Sequence, residues 1–327
     1  MRVILFPLSG SLPILHPSVR HREVRPVLTK TILLVCLVCL VSLALVACAR
    51  DSAEGGSKDS DHPPVVVAAG DIAGCHSRGD EATAKLLGGI HGTILTLGDE
   101  AYEDGSPEEF ANCYGPTWGR FKGRTKPTPG NHEYATPNAE GYFGYFGKAA
   151  GNAGEGYYSF ELGNWHLIAL NSNCAEVGGC TRRSAQGRWL RGDLANHPSR
   201  CTLAYFHSPL FTSGKYRPGV SEVRPLWKVL YKAGADAVLN GHDHNYQRFA
   251  LQDPDGKADP ERGIREFVVG TGGRSHYAID SPLANTQVYN DDTYGVLKLT
   301  LHPASYDWKF VAVAGHSFTD SGSGKCH

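Results

Sequence analysis

The sequence predicts an α/β fold with two sheets and a site at the ends of strands. Short β-branched runs alternate with a helical pattern between residues 65 and 97, and Gly163-Asn164 later separates two strand-like runs as a hairpin turn does. Several apolar runs also stop at a glycine followed by aspartate, asparagine or histidine. Glycine lets the backbone turn sharply, and open α/β sheets keep their ligands beyond the carboxyl ends of the strands.

Val65–Ala69 is a β-branched run closed by Gly70-Asp71 and reads as the first core strand. A helical pattern over 80–87 follows, then a strand through Ile94, Leu95 and Leu97 that delivers Gly98-Asp99. Together they make a βαβ unit with two carboxylates at one edge. Ser106-Pro107-Glu108-Glu109 joins a capping residue, proline at the first helical position and glutamate three residues after the cap, so a helix starts there. Residues 126–133 hold too many prolines for a central strand but end in Gly130-Asn131-His132-Glu133. The runs at 157–162 and 165–170 flank the hairpin turn and predict a switch to antiparallel pairing, where a second sheet begins. Helices are predicted over 181–195 and 223–233, the latter stopped by Gly234. Buried strands over 201–206 and 237–240 end at His207 and at Gly241-His242-Asp243-His244, and runs at 266–269, 294–301 and 307–313 close the fold.

Composition limits the partners. The 327 residues carry a formal charge of −1 and no basic stripe, which excludes nucleic acid. Residues 31–47 form an apolar run preceded by Arg22, Arg25 and Lys30, the order of an export signal. It ends in Leu45-Val46-Ala47-Cys48, which resembles a bacterial lipoprotein processing site with Cys48 as the lipid-modified residue; a permanent membrane anchor is the alternative. Both readings place the rest outside the cytoplasm, at the cell surface or secreted, with the membrane met only through the N-terminal lipid or signal anchor. Residues 49–64, rich in Ser, Gly and Asp, read as a tether, leaving 65–327 as one catalytic domain. Six cysteines lie in that domain, an even set that predicts disulfides in an exported protein. Spacing alone does not fix their pairing, although Cys174 with Cys180 would close a short loop and Cys201 with Cys326 would pin the C-terminal segment, leaving Cys75 with Cys113.

The strand ends carry Asp71, Asp99, Asn131, His207, His242 and His244. Carboxylate, amide oxygen and imidazole suit Fe, Zn or Mn, and the domain has no Cys-x-x-Cys pair to support a structural zinc site. One carboxylate can bridge two cations about 3.5–4 Å apart.

The order Gly-Asp, Gly-Asp, Gly-Asn-His-Glu, His and Gly-His-x-His resembles the calcineurin-like metallophosphoesterase superfamily. Within it, Gly98-Asp99-Glu100-Ala101-Tyr102 resembles the Gly-Asp-x-x-Tyr element of purple acid phosphatases, here in a bacterial branch. The resemblance implies a four-layer α/β/β/α sandwich with two mixed sheets. It also implies two metal ions: Fe(III) held by Asp71, Asp99, Tyr102 and His244, and a divalent Zn, Fe or Mn ion held by Asp99, Asn131, His207 and His242. His132 would meet the phosphate and protonate the leaving group, with Glu133 and Asp243 orienting ligands. The implied reaction is hydrolysis of a small phosphate monoester by a water activated at the dinuclear centre; a phosphodiesterase or nucleotidase, or a non-catalytic metal- or phosphate-binding lipoprotein, are the alternatives. Plant and animal members carry a further histidine shortly after the position of His207. Residues 208–217 here have none, and Lys215 or Arg217 would supply positive charge to the phosphate instead. His166, inside a predicted strand, reads as structural, as do the aromatics between Trp118 and Phe146.

Overall fold

The computed structural model describes residues 62–215 and 219–327. The predicted export signal, residues 49–61 of the predicted tether and Arg217 lie outside the described residues. Among the described residues no helix is long and apolar enough to cross a membrane.

The chain begins with β1 (Val65–Ala69), β2 (Ala73–Gly74), α1 (Gly79–Gly89), β3 (Thr93–Leu97) and β4 (Ala101–Tyr102). The predicted cap at Ser106 forms with both reciprocal bonds and opens α2 (Pro107–Glu109), which runs into a π-helical turn at Phe110–Tyr114. The proline-rich stretch holds a strand after all, β5 (Thr125–Thr128), but an edge one, where Pro127 is tolerated. After α3 (Glu140–Phe146), β6 (Tyr158–Leu162) and β7 (Trp165–Ala169) form the predicted hairpin. Next come α4 (Ala185–Asn196), β8 (Cys201–Tyr205), α5 (Arg224–Ala233) and β9 (Ala237–Asn240). Ser184 caps α4, so that helix starts four residues later than its sequence pattern implies. The chain ends with β10 (Tyr246–Phe249), β11 (Arg265–Val269), β12 (Thr286–Asn290), β13 (Gly295–His302), β14 (Ser305–Ala312) and β15 (Ser321–Lys325).

One sheet has the order β15-β14-β13-β1-β3-β5 and the other β12-β10-β11-β9-β8-β7-β6. The second sheet is mixed: only its margins are antiparallel, while β7, β8, β9 and β11 run parallel. In β1 the four residues after Val65 are all fully buried, which requires cover on both faces of the sheet. One core joins the facing sides of the two sheets, with Leu95, Leu97, Trp165, Leu167, Leu239 and Leu297 in it, and Ala84 and Leu87 of α1 pack into it as well. A second core sets Ile168, Ala204 and Val238 against Leu190 of α4 and Leu226, Trp227 and Leu230 of α5. The result is a helix/sheet/sheet/helix stack. Each such buried aliphatic side chain contributes about 1.5–3 kcal/mol.

The parallel strands deliver their carboxyl ends to a common edge. There, Asp71 N–H donates to the Gly98 carbonyl (3.1 Å) beyond β1 and β3, Gly241 N–H to that of His207 (2.9 Å) beyond β9 and β8, and Gly70 N–H to that of Val269 (2.9 Å), which joins one sheet to the other. Among the described residues three disulfides form: Cys75–Cys113, Cys174–Cys180 and Cys201–Cys326.

Candidate metal centre

Asp71, Asp99 and His242 follow these strand ends with φ of 60°, 52° and 71°. Side chains other than glycine avoid that left-handed region, at about 1–2 kcal/mol each, and strain of this kind collects at functional sites. Close packing enforces the turns: a Cβ on Gly98 would stand 2.7 Å from the Gly130 nitrogen, and one on Gly130 would stand 2.1 Å from Asp99 Oδ1. The glycines ahead of the polar residues are therefore requirements of the site.

Two half-sites share Asp99. In the first, the Tyr102 hydroxyl lies 2.9 Å from Asp71 Oδ1, 3.0 Å from Asp99 Oδ2 and 3.2 Å from His244 Nε2. In the second, His207 Nε2 lies 3.2 Å from Asp99 Oδ2, 3.1 Å from Asn131 Oδ1 and 3.0 Å from His242 Nδ1. Hydrogen bonds alone do not account for this packing. The Tyr102 hydroxyl has a single proton to share among three neighbours. The Nδ1 of His207 points at the Leu97 carbonyl (2.8 Å), so its Nε2 faces a carboxylate oxygen, an amide oxygen and an imidazole nitrogen with at most one proton of its own. Donor atoms about 3 Å apart are what ligands at 2.0–2.2 Å from a shared cation produce, and the mixed oxygen and nitrogen set suits iron, zinc or manganese.

The electrostatics agree. Burial opposes ionisation of the Asp99 carboxyl, but the neighbouring His207, with His132 behind it, holds it well below the usual carboxylate range. Burial likewise works against the His207 imidazolium, and the Asp99 carboxylate outweighs it, lifting His207 to about 9. Burial and the two aspartates push the Tyr102 hydroxyl far above its usual value, so a phenolate there needs a cation beside it.

Buried Glu133 ties two of the ligand loops together: its carboxylate accepts from the backbone N–H of Asp99 (2.9 Å) and Glu100 (2.9 Å) and from that of Gly130 (2.7 Å). Burial and then Asp99 push it up to about 7. Asp243 turns to Gln247 (3.1 Å) and Thr212 and so holds the segment after His207. His132 is partly exposed; its Nδ1 meets the Glu103 carbonyl, which leaves Nε2 3.9 Å from Asp99 Oδ2.

Lys215 is salt-bridged to Asp280 at 2.8 Å and lines a separate hollow with Leu210 and Leu283. His166 is buried between Glu161 (2.6 Å) and Asp193 (2.7 Å), the structural role read from its strand position. Sequence reasoning missed the segment 270–277. There Ser275 Oγ meets His244 Nδ1 at 2.7 Å, and the Tyr277 ring stacks on the His244 ring at 4.0 Å. Its one signal was the Gly270-Thr271-Gly272-Gly273 run directly after a strand.

The calcineurin-like phosphoesterase family model matches residues 63–246. Among curated proteins, purple acid phosphatase 15 of Arabidopsis thaliana is 27% identical over 228 residues, covering 59% of this chain and 42% of that protein. Acid phosphatase type 7 of Homo sapiens is 28% identical over 186 residues, 49% of this chain and 41% of that one. This chain thus spans less than half the length of either relative. Among solved structures, purple acid phosphatase PPD1 of yellow lupin (Lupinus luteus) superposes with a TM-score of 0.60 at 17% identity, over 80% of this chain and 53% of that one. GAP50, the anchor in the inner membrane complex of Plasmodium, also gives 0.60, at 15% identity over 81% and 89%. At such identities the likeness is one of fold. The family match covers more than half of the chain and takes in every strand-end residue from Asp71 to His244, so the chain belongs to the calcineurin-like phosphoesterase family.

Proposed function

We propose that this chain is an exported, acid phosphatase-like hydrolase of phosphate monoesters, with residues 65–327 as its catalytic domain. The observation that carries the reading is the Asp99 carboxylate, placed between the Tyr102 hydroxyl and His207 Nε2 as a bridge between two cations would be. Asp71, Asp99, Tyr102 and His244 would hold Fe(III), and Asp99, Asn131, His207 and His242 a divalent Zn, Fe or Mn ion. When bound, the pair lowers the pKa of a water and offsets charge on the phosphoryl oxygens.

The remaining chemistry falls to the chain. The water oxygen bonds to phosphorus in line as the bond to the alcohol oxygen breaks, and no phosphorylated residue forms. His132 is fixed by the Glu103 carbonyl at Nδ1, so its Nε2 is the atom that passes a proton to the departing alkoxide. Glu133 keeps the Asp99 and Gly130 turns in register, so a shift of one ligand loop against the other is resisted. The export segment supports an extracytoplasmic location, and three disulfides fit an oxidising compartment.

Asp99→Ala is the direct test. Metal content and turnover should fall together, and an Asp99→Ala protein that keeps full activity would sink the reading. Parallel assays on a monoester and a bis-ester decide the leaving-group class: faster turnover of the bis-ester would replace the phosphatase by a phosphodiesterase.

A further inference from the structure

Beside the centre is a hollow of about 440 Å³ lined by His76, Ser77, Arg78, Arg274 and Tyr294. We propose that it is the subsite for the alcohol portion of the substrate, and that it selects phosphomonoesters whose alcohol bears a second anionic group, a carboxylate or phosphate. The proposal rests on the phosphatase reading above and names its substrate class.

Arg274 joins the two places. Its backbone N–H donates to the Asp71 carbonyl (3.0 Å), and its guanidinium carbon lies 5.1 Å from the Tyr102 ring centre. Farther along the same side chain, Cδ and Nη1 rest over Gly74, 3.3 and 3.5 Å from where a Cβ would stand. Gly74 is the ladder partner of Tyr102 in the two-residue pairing of β2 with β4. Arg274, which lines the hollow, thus lies against the residue whose hydroxyl touches Asp71, Asp99 and His244.

The walls are fixed. A Cβ on Gly79 would stand 2.4 Å from the Gly273 carbonyl oxygen, so the loops on the two sides are in contact and can carry no larger residue there. On another side the Tyr294 ring leans on His276, their centres 4.1 Å apart, which gives an apolar wall for a carbon skeleton.

The charges favour an anion. Arg274 is paired with Glu103 at the rim, whereas neither Arg78 nor His76 has an ion-pair partner among the described residues. Asp80, the acid beneath the hollow, is buried and accepts from Ser77 Oγ (3.2 Å). A guanidinium in a concave site without a counter-ion is suited to a bidentate contact with carboxylate or phosphate.

The experiment compares 3-phosphoglycerate with glycerol 3-phosphate, which share a three-carbon skeleton and a primary phosphate ester and differ in the carboxylate. The wild-type ratio of kcat/KM should favour 3-phosphoglycerate, Arg78→Gln should lower that ratio about tenfold, and Glu103→Gln, by releasing Arg274, should raise it. A ratio that stays within twofold in Arg78→Gln, or that falls in Glu103→Gln, overturns the subsite. If the wild type hydrolyses neither compound, the phosphatase reading fails by itself. The subsite is then decided by direct binding of the two compounds to the same proteins: a preference for 3-phosphoglycerate that Arg78→Gln removes supports it, and equal affinity overturns it.

Discussion

Tyr102 shows at the scale of one residue how the site asks for a cation. Its hydroxyl faces two buried carboxylates and an imidazole, and burial, together with those carboxylates, opposes its ionisation. With Fe(III) present the phenolate becomes the better partner. Tyr102→Phe should therefore abolish a visible charge-transfer band while the other ligands remain; a band that persists in the variant would move iron away from Tyr102. His166 works differently, since both its nitrogens meet carboxylates and its imidazolium is favoured. Burial opposes the charge, but the bonds to Asp193 and Glu161 prevail and raise its pKa, while Asp193 is lowered. A raised base stabilises the fold below its unfolded pKa near 6.5 and loses that contribution as pH rises through the folded value. The lowered acid contributes above about 3.9 and loses it on further acidification. His166→Gln should thus cost about 2 kcal/mol at pH 5.5 and markedly less at pH 9, read from urea unfolding of both proteins; an equal cost at both values contradicts the pairing. The ligand candidates were legible because each is a metal-binding type placed after a glycine or at a strand end. Ser275 and Tyr277 were not, since neither residue type announces that it will settle against His244, 31 and 33 positions earlier in the chain.

At the scale of elements, the turns decide the geometry. Gly130 leaves no room for a methyl group against Asp99 Oδ1. Gly130→Ala should push the carboxylate out of place and cut kcat/KM by about 10² or more with the far-ultraviolet circular dichroism unchanged; normal activity would show that the two loops can separate freely. β1 and β3 were readable because β1 is an unbroken apolar run and β3 sets Ile94, Leu95 and Leu97 among β-branched threonines. β12 and β15 were not: their residues are largely exposed or half-exposed, and β15 is a Ser/Gly sequence with no apolar alternation. What recruits β15 is an available edge, because β14 supplies unpaired backbone groups along five registered positions. The parallel core of the second sheet was hidden for a related reason, since a hairpin is a local signal whereas pairing of β7 with β8 skips a helix.

At the scale of the whole molecule, Cys201–Cys326 closes a loop across 125 positions and ties β8, the strand that leads to His207, to the C-terminal segment. The chain-entropy estimate for such a loop is about 4–5 kcal/mol. Replacing both cysteines by serine should lower the unfolding free energy by about that amount with catalysis at 25 °C preserved, whereas a loss under about 1 kcal/mol would show that the sheet edge holds without the crosslink.

A deeper consequence follows from β13, whose residues lie on the antiparallel side of β1. Every proposed ligand is encoded between positions 71 and 244, inside the stretch that matches the family, yet β1 has Leu297 and Leu299 as partners more than two hundred residues downstream. The stretch that defines the lineage is shorter than the stretch that folds. A fragment cut at the family boundary would contain every proposed ligand and lack half the scaffold of its first strand, while a chain still being synthesised must extend long past the last ligand before β1 has both of its neighbours.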